Sequence, residues 1–359
     1  MKIAVLGGGN GCYAAVADLA EAGHQVRFWR RNYRDFGPVA ERGALILRDS
    51  KGEREVRPDR ITDDIGEAVD GAALIVAPLP AFAQADLAER LAPHLTDDQV
   101  IFLPPGTFGS YAMLAALRAK GCNAAIMIAE TGTLPWLARK RDAGTVAITT
   151  RASRLPTGVV PARRSEEALK VVAEAFPNAI EPVEDGLSGA LMNAGPIIHP
   201  PLILMNAGPI EHFDRWDIHN EGTQLSIRRV HGALDGERIA IRERLGYAPP
   251  HFPLADHYET SNWMYGHLAH DRLVDSGDWH ETLDFESHRY MREDIAMGLA
   301  LLVSLGEWSG TPCPVAAGLL SIASAVTGED LRANGRTVET LGLADYSPAD
   351  LKAMLAEGP

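Results

Sequence analysis

The sequence predicts an α/β protein: a doubly wound parallel sheet in the N-terminal half, followed by an all-α C-terminal domain. Three observations lead to this fold class. The chain begins with a strand, a glycine-rich turn, a helix and a second strand within residues 1–31. Strand and helix patterns then alternate as far as residue 183, after which strand patterns almost vanish. We place the two domains at residues 1–185 and 186–359.

The first elements have the pattern of a dinucleotide-binding unit. Residues 3–6 and 25–29 are apolar strands, and residues 14–22 form a small-residue helix between them. Glycines in the turn permit a sharp bend and let a pyrophosphate approach the helix N-terminus, where backbone N–H groups favour negative charge. The pattern predicts a Rossmann fold with a nucleotide site. The expected contacts are Gly7, Gly9, Asn10, Gly11 and Cys12, which stands where Gly or Ala is usual. A glycine-rich turn of another kind of α/β protein is the alternative.

The end of the second strand selects between cofactors. NAD-binding domains usually carry Asp or Glu there, because a carboxylate binds the ribose hydroxyls. This chain carries Arg30 and Arg31, whose guanidinium groups can bind the 2′-phosphate of NADP in bidentate fashion. NADP is therefore the expected cofactor, with NAD possible, and a solvated basic turn is the alternative interpretation.

Further alternating elements extend the sheet. Residues 44–47 and 53–57 read as a hairpin around a turn at 49–52. Strands are also predicted at 73–77, 100–103, 124–129, 145–150 and 179–183, and helices at 65–69, 83–92, 113–120 and 166–175. Ligands of such sheets bind beyond the carboxyl ends of the strands. The loops after two of these strands therefore add Leu79, Pro80, Gly106 and Thr107 to the expected cofactor contacts.

Composition excludes several classes of protein. With 359 residues, 46% of them hydrophobic and 23% charged, the chain is long enough for two globular domains. No apolar run is long enough to span a membrane and the N-terminus runs directly into a strand, so we expect no signal peptide and no membrane association. Three scattered cysteines indicate a reducing, cytoplasmic compartment. A net charge of −14 argues against nucleic-acid binding.

The C-terminal half follows a helical period. Helices are predicted at 223–245, 291–305 and 315–326, and residues 249–287, rich in aromatics and histidines, are expected to form a long ordered loop region. His267 and His270 are spaced as two metal ligands on one helical face can be. The sequence offers no matched third ligand, so no metal site is expected.

Two residues of this half are candidates for acid–base chemistry. No lysine lies between residues 170 and 352, so proton transfer by lysine is unavailable there. His199 lies in an apolar segment just before two prolines, which we expect to kink or break a helix. A histidine in that setting suits proton transfer near neutral pH, and a packed core histidine fits equally well. Asp294 heads an apolar helical stripe, where it either pairs with a cation or favours the helix N-terminus.

The chain resembles the opine dehydrogenase family in segments that follow one another in the same order from end to end. They are GGGNG at 7–11, PPGT at 104–107, ET at 130–131 with LPW at 134–136, NAGPIIHP at 193–200, YMREDI at 290–295 and NGRTVETLGL at 334–343. The resemblance implies a Rossmann domain, a helical domain and catalysis between them, with His199 as the catalytic histidine and Asp294 as its acidic partner. The sequence departs from a related enzyme at Arg30, where that enzyme has an acid suited to NAD.

The reaction that the resemblance implies is a reductive condensation. An amino acid amine and a 2-oxo acid, typically pyruvate, give an imine that nicotinamide hydride reduces to a secondary amine dicarboxylate. His199 would carry protons at the carbonyl or carbinolamine oxygen, and Asp294 would orient and stabilise its imidazolium. Substrate carboxylates need cations and the amine substrate needs a pocket, for which the candidates are Arg139, Arg292, Arg289, Tyr258, Trp263 and Tyr265.

Two other functions stay open at this point. One is an imine or ketone reductase on the same scaffold that acts without an amino acid co-substrate. The other is a non-catalytic NADP-binding sensor. The expected assembly is a homodimer.

Overall fold

The computed structural model describes residues 1–259, 261–266, 269–277 and 283–359. Its contacts divide the chain into two compact units, Met1–Ala190 with Met354–Pro359, and Leu191–Ala353. The first unit therefore keeps five residues beyond the expected range of 1–185 and regains the end of the chain. Gly158 explains the first difference, because a Cβ there would lie 1.8 Å from the carbonyl oxygen of Asp185 and only glycine lets this segment pack so closely.

Twelve strands are present in the described residues, all in the first unit. They are β1 Lys2–Leu6, β2 Gln25–Trp29, β3 Leu45–Asp49, β4 Gly52–Val56, β5 Arg60–Thr62, β6 Leu74–Val76, β7 Val100–Leu103, β8 Met127–Thr131, β9 Trp136–Lys140, β10 Thr145–Arg151, β11 Leu155–Val160 and β12 Ile180–Pro182. Eight of them form one sheet in the order β12-β11-β8-β7-β6-β1-β2-β5. Its strands are parallel except where β11 runs antiparallel to β8. The predicted doubly wound domain is confirmed.

A second, four-stranded sheet has the order β4-β3-β10-β9. The predicted hairpin is its β3–β4 pair, and β10 joins β3 in parallel and β9 in antiparallel orientation. The sequence did not predict β5, β9 or β11. β5 is three residues long, and β11 carries a proline and a glycine, which weaken a strand pattern.

The first unit also contains helices α1 Asn10–Glu21, α2 Pro38–Arg42, α3 Ile65–Val69, α4 Gln84–Leu91, α5 Gly109–Ala119, α6 Ser165–Ala175 and α7 Gly186–Ala190. The small residues 14–17 of α1 are completely buried against strand residues such as Ile3, Val5 and Phe28. Small side chains bring the helix backbone close to the sheet. The Gly-rich turn that precedes α1 is therefore fixed relative to β1.

The described part of the second unit is helical, as predicted. Its helices are α8 Gly195–Met205, α9 Ala207–His212, α10 Leu225–Arg244, α11 Ala255–Glu259, α12 Ala269–Asp275, a π-helix at Tyr290–Leu299, α13 Ala300–Ser309 and α14 Pro314–Thr327, and α15 Pro348–Glu357 begins in this unit. Inside α10, buried Arg238 donates to the carboxylate of Asp235 at 2.7 Å and to the carbonyl of Leu191 at 2.8 Å. A buried charge needs such partners, so α10 is tied to the start of the unit.

Three expectations for this half need correction. The helix around His199 is not broken at the prolines, since α8 runs through Pro200 and Pro201, which lack only the N–H groups that would bond one turn back. Residues 249–287 are not one loop, because α11 and α12 lie within them. The single helix predicted at 291–305 is a π-helix followed by α13. In the described part of the chain, no helix is both long and apolar enough to cross a membrane.

Candidate active site

The glycine turn between β1 and α1 has the shape that a pyrophosphate requires. Gly7 has φ +121°, and a Cβ there would lie 2.5 Å from Leu79 Cδ2 and 2.8 Å from Cys12 Sγ, so only glycine fits. At Gly9 a Cβ would meet no described atom within 4 Å, so the approach to the N-terminus of α1 is open. This open cradle fits the diphosphate of a dinucleotide.

The other expected turn residues are engaged within the protein. Asn10 accepts a hydrogen bond from the backbone N–H of Lys140 at 2.9 Å through its side-chain oxygen. Gly11 faces Leu134, whose Cδ2 would lie 2.7 Å from an added Cβ. The Cys12 thiol is fully buried 3.5 Å from the Leu6 carbonyl, and burial raises its pKa to about 12. A small thiol thus fills the usual Gly or Ala position without clashing.

A cavity of about 170 Å³ lies beside this turn, and both expected arginines line it. Arg30 donates to Tyr13 Oη at 3.1 Å and packs beside Gly8, whose missing side chain makes room for the guanidinium. The Arg31 side chain is 64% exposed and pairs with Asp86 at 2.6 Å. Leu79 lines the same cavity, with Gly7, Gly8, Trp29, Asp35, Ala83 and Leu87.

Lys140 is a site residue that the sequence reasoning missed. It ends β9, and its Nζ lies 3.3 Å from the carbonyl of Gly8 and 4.0 Å from the centre of the Tyr13 ring. Burial and the neighbouring Arg30 charge lower its pKa. No local pattern marks this residue, because its contact with the turn spans 132 positions and depends on the second sheet.

The loop after β7 is organised by a buried carboxylate. Glu130, at the end of β8, accepts backbone hydrogen bonds from Phe108 at 2.9 Å and Ser110 at 3.2 Å. A Cβ on Gly106 would lie 1.8 Å from Glu130 Oε2, and Thr107 adopts φ +56°. Gly106 therefore has a structural reason for its identity, whereas Thr107 adopts a backbone conformation that is unusual for a β-branched residue. The loop holds both residues at the carboxyl edge of the sheet. Pro80 stands in the corresponding loop after β6, at the start of a 3₁₀ turn.

The second unit brings His199 and Asp294 together. His199 lies in α8 and Asp294 in the π-helix, and His199 Nδ1 is 2.8 Å from Asp294 Oδ2. Their side chains are 14% and 7% exposed. Two glycines permit this approach: a Cβ on Gly195 would lie 2.2 Å from Asp294 Oδ1, and one on Gly298 would lie 2.1 Å from Pro196 Cγ.

The electrostatics of the pair follow from its burial. Burial raises the pKa of Asp294, and the charges of Arg289 and His288 act in the opposite direction. A carboxylate in this position fixes the imidazole tautomer and leaves Nε2 as the ring nitrogen on the opposite edge. An imidazole hydrogen-bonded to a buried carboxylate is an arrangement suited to general acid–base chemistry.

The expected substrate residues are distributed over both units. Arg292 is paired with Glu329 at 2.6 Å and donates to the Glu286 carbonyl. Arg139 lies on β9 in the first unit. Tyr258 and Trp263 both contact His257, with ring centroids at 5.0 and 5.8 Å. Arg289 lies with its guanidinium 5.8 Å from the Tyr290 ring, and Tyr265 is buried.

The histidine-rich part of the second unit shows no metal cluster in the residues that are described. His267, one half of the suggestive histidine pair, lies outside the described residues. His270 lies 5.6 Å from His257 between ring centroids. Burial lowers the pKa of His257 to about 3, so this ring is neutral at physiological pH.

Comparisons with known proteins agree with both units. Residues 182–327 match the family model of the NAD/NADP octopine/nopaline dehydrogenase alpha-helical domain, and residues 3–146 match that of ketopantoate reductase PanE/ApbA. The chain is 28% identical to opine dehydrogenase of Arthrobacter sp. (strain 1C), over 98% of this chain and 97% of that protein.

Solved structures show the same fold. Octopine dehydrogenase in complex with NADH and agmatine superposes with a TM-score of 0.73 at 19% identity, over 100% of this chain and 98% of the other. Yersinopine dehydrogenase with NADP+ bound gives 0.65 at 14% identity, over 99% and 97% of the two chains.

Proposed function

Because the chain belongs to the opine dehydrogenase family, we propose that it condenses an amino acid with a 2-oxo acid such as pyruvate and reduces the resulting imine with NADPH. Membership makes the protein an NAD(P)-dependent oxidoreductase that acts on CH–NH bonds. The observation that carries the proposal is the buried His199–Asp294 pair, whose nitrogen and oxygen are 2.8 Å apart. The proposal adds three features to this activity: an amino acid substrate, a 2-oxo acid substrate and a preference for NADP.

The condensation needs proton transfers that this pair can perform. Attack of an amine on a carbonyl gives a carbinolamine, and loss of water from it requires a proton on the leaving oxygen. His199, as imidazolium, donates that proton, and Asp294 stabilises the positive ring while it exists. In the reverse direction the neutral ring accepts the proton again.

The residues of the first unit fit a nicotinamide dinucleotide. The open Gly9 backbone would hold the diphosphate, Gly7 and Leu79 would line its path, and Gly106 and Thr107 would border it at the sheet edge. The cofactor supplies the hydride that reduces the imine carbon. Everything else in the reaction, namely binding, orientation and proton transfer, is the task of the protein.

Preference for NADP is supported by cations around the turn. Arg30 is held by Tyr13, and Lys140 lies on the same tyrosine ring. Two anchored cations next to the Gly8 backbone favour an additional phosphate. Asp35, which also lines the cavity, lies 3.9 Å from the Arg30 guanidinium and partly neutralises it. The Arg31 side chain is 64% exposed and that of Arg30 only 19%, so we assign Arg31 a smaller part.

NADPH oxidation across a panel of amino acids, with and without pyruvate, tests the proposal. We expect oxidation only when a 2-oxo acid and an amine are both present, because neither alone gives the imine. Full activity with the 2-oxo acid alone would identify a ketone reductase, and binding of NADPH without any turnover would identify a sensor. A homodimer in a cytoplasmic setting is a further part of the proposal, and sedimentation of the purified protein tests the assembly.

A further inference from the structure

The imidazole of His199 is covered on one face by an aromatic ring. The centroids of the His199 and Tyr290 rings are 3.7 Å apart and the planes differ by 10°. Tyr290 is 2% exposed, so the stack is desolvated on the tyrosine side. An edge contact with Asp294 and a face contact with Tyr290 together fix both the position and the plane of the imidazole.

Tyr290 is itself held in place by a second histidine. Its hydroxyl lies 2.8 Å from His219 Nε2, and His219 is 8% exposed. The backbone of that histidine is fixed by Asp217, whose carboxylate accepts its N–H at 3.1 Å. Asn206, at the end of α8, donates to the Gly222 carbonyl at 3.1 Å and so ties this loop to the helix that carries His199.

Tyr290 and Asp294 come from the same π-helix, Tyr290–Leu299. They are four positions apart, so in a helix both project from nearly the same side. π-helical turns are rare and are frequently retained at functional sites. Here the wider turn presents a carboxylate to the edge of the imidazole and a phenol ring to its face.

We propose that Tyr290 is a positioning residue for His199, clamping the imidazole plane and stabilising the imidazolium that forms during turnover. The catalytic meaning of this assignment rests on the proposed function. An aromatic face is negative at its centre and attracts a stacked cation, more strongly when water is excluded. The titratable and charged groups around the stack are Asp294, His219 with its ring 6.3 Å from that of His199, His231, and Arg289 and His288 beside Asp294.

Three variants separate the stack from the hydroxyl. Tyr290→Phe keeps the ring and loses the bond to His219, whereas Tyr290→Leu loses the stack and Tyr290→Met replaces it with a flexible side chain of similar length. The readout is the titration of the His199 ring, followed by NMR of histidine-labelled protein, with its signal assigned by its absence in His199→Gln. This readout needs no substrate.

Loss of the stack should move the titration midpoint of His199 to lower pH by about 0.5–1.5 pH units, the range from an exposed to a desolvated cation–π contact. Single-turnover NADPH oxidation should fall by roughly ten- to hundredfold in Tyr290→Leu and Tyr290→Met. Tyr290→Phe should keep the midpoint and lose about two- to tenfold, the effect of one hydrogen bond.

An unchanged midpoint in folded Tyr290→Leu or Tyr290→Met would overturn the proposal, as would equal midpoint shifts in all three variants. Folding is checked by thermal unfolding, and the methionine variant decides if the leucine variant does not fold. If the wild-type protein shows no amine-dependent NADPH oxidation, the proposed function fails while the titration still decides the role of Tyr290.

Discussion

The glycine turn of the first unit and the His199–Asp294 pair of the second differ in how their charged groups are exposed and paired. At the turn, charged side chains line an accessible cavity, and Arg31 is 64% exposed even while paired with Asp86. In the pair, both side chains are largely buried, and the edge of the imidazole faces the carboxylate at 2.8 Å. In the proposed function, the first region accepts a large anion and the second moves a single proton.

The difference teaches how each region tolerates change. An exposed ion pair contributes little to stability and can exchange its partner for a ligand phosphate. A buried pair is fixed by the packing around it, and removing one member leaves the other uncompensated. Substitutions at the turn should therefore alter the choice of cofactor, whereas substitutions at the pair should alter the rate or the stability.

The largest effect is expected from His199→Ala. Loss of the proton carrier should lower the single-turnover rate by about 10²–10⁴-fold. NADPH affinity should change little, because the expected cofactor contacts lie in the other unit. Stopped-flow NADPH oxidation and fluorescence titration of NADPH measure the two quantities, and a parallel loss of both would contradict the division of tasks between the regions.

Acid should destabilise the second unit through its buried histidines. Burial lowers the pKa of His231 to about 4 and that of His257 to about 3. The unfolded chain takes up these protons near pH 6.5 while the folded chain does not, so stability present above that pH is lost as the pH falls towards 4. The raised pKa of Asp294 acts in the opposite sense.

We expect roughly 2–4 kcal/mol of unfolding free energy to be lost between pH 7 and pH 4.5, which urea unfolding measures. His257→Phe should reduce that loss. A midpoint of unfolding that does not change with pH would show that the pKa values of the two rings are not lowered in the folded protein.

Arg30→Ala should weaken NADPH binding and leave NADH binding nearly unchanged. Loss of a charge-assisted contact to the 2′-phosphate corresponds to about 1.5–3 kcal/mol, or about ten- to hundredfold in affinity. Arg31→Ala is the matched control, and its effect should be below about 1 kcal/mol because its side chain is much more exposed to solvent than that of Arg30. Equal losses for NADPH and NADH in Arg30→Ala would remove the case for NADP.

Gly195→Ala should disturb the pair although neither His199 nor Asp294 is substituted. An added Cβ would lie 2.2 Å from Asp294 Oδ1, so the carboxylate or the helix must move. We expect a loss of about 1–3 kcal/mol in stability, as in overpacked cores, together with a slower single turnover. Gly208→Ala is the control, since nothing described lies within 4 Å of its Cβ. Equal behaviour of the two variants would show that the pair tolerates displacement.

The sequence predicted best what local patterns encode. Residues 3–29 form a strand, turn, helix and strand because apolar runs, glycines and small residues act within a few positions of one another. Lys140 was missed because its approach to Gly8 depends on β9, a strand without a clear alternating pattern. The residue types at 199 and 294 drew attention, yet their contact spans 95 positions and only the packing of α8 on the π-helix creates it.

Tyr290 shows most clearly what could not be predicted from the sequence. It lies in the segment YMREDI that carries the family resemblance, but neither its stacking on His199 nor the π-helical turn is visible in a periodic pattern. Over a single turn, α-helices and π-helices both place residues four positions apart on nearly the same side, so a short apolar pattern does not distinguish them. Geometry at a helix-packing contact has to be seen in three dimensions.

A double-mutant cycle on the pair tests the central claim most directly. Single-turnover NADPH oxidation, with amino acid and pyruvate present, is measured in His199→Ala, Asp294→Asn and the double variant. Because Asp294 has nothing to orient once the imidazole is gone, the double variant should be about as slow as His199→Ala alone. Losses that simply multiply, or a near-wild-type rate in folded His199→Ala, would contradict the account.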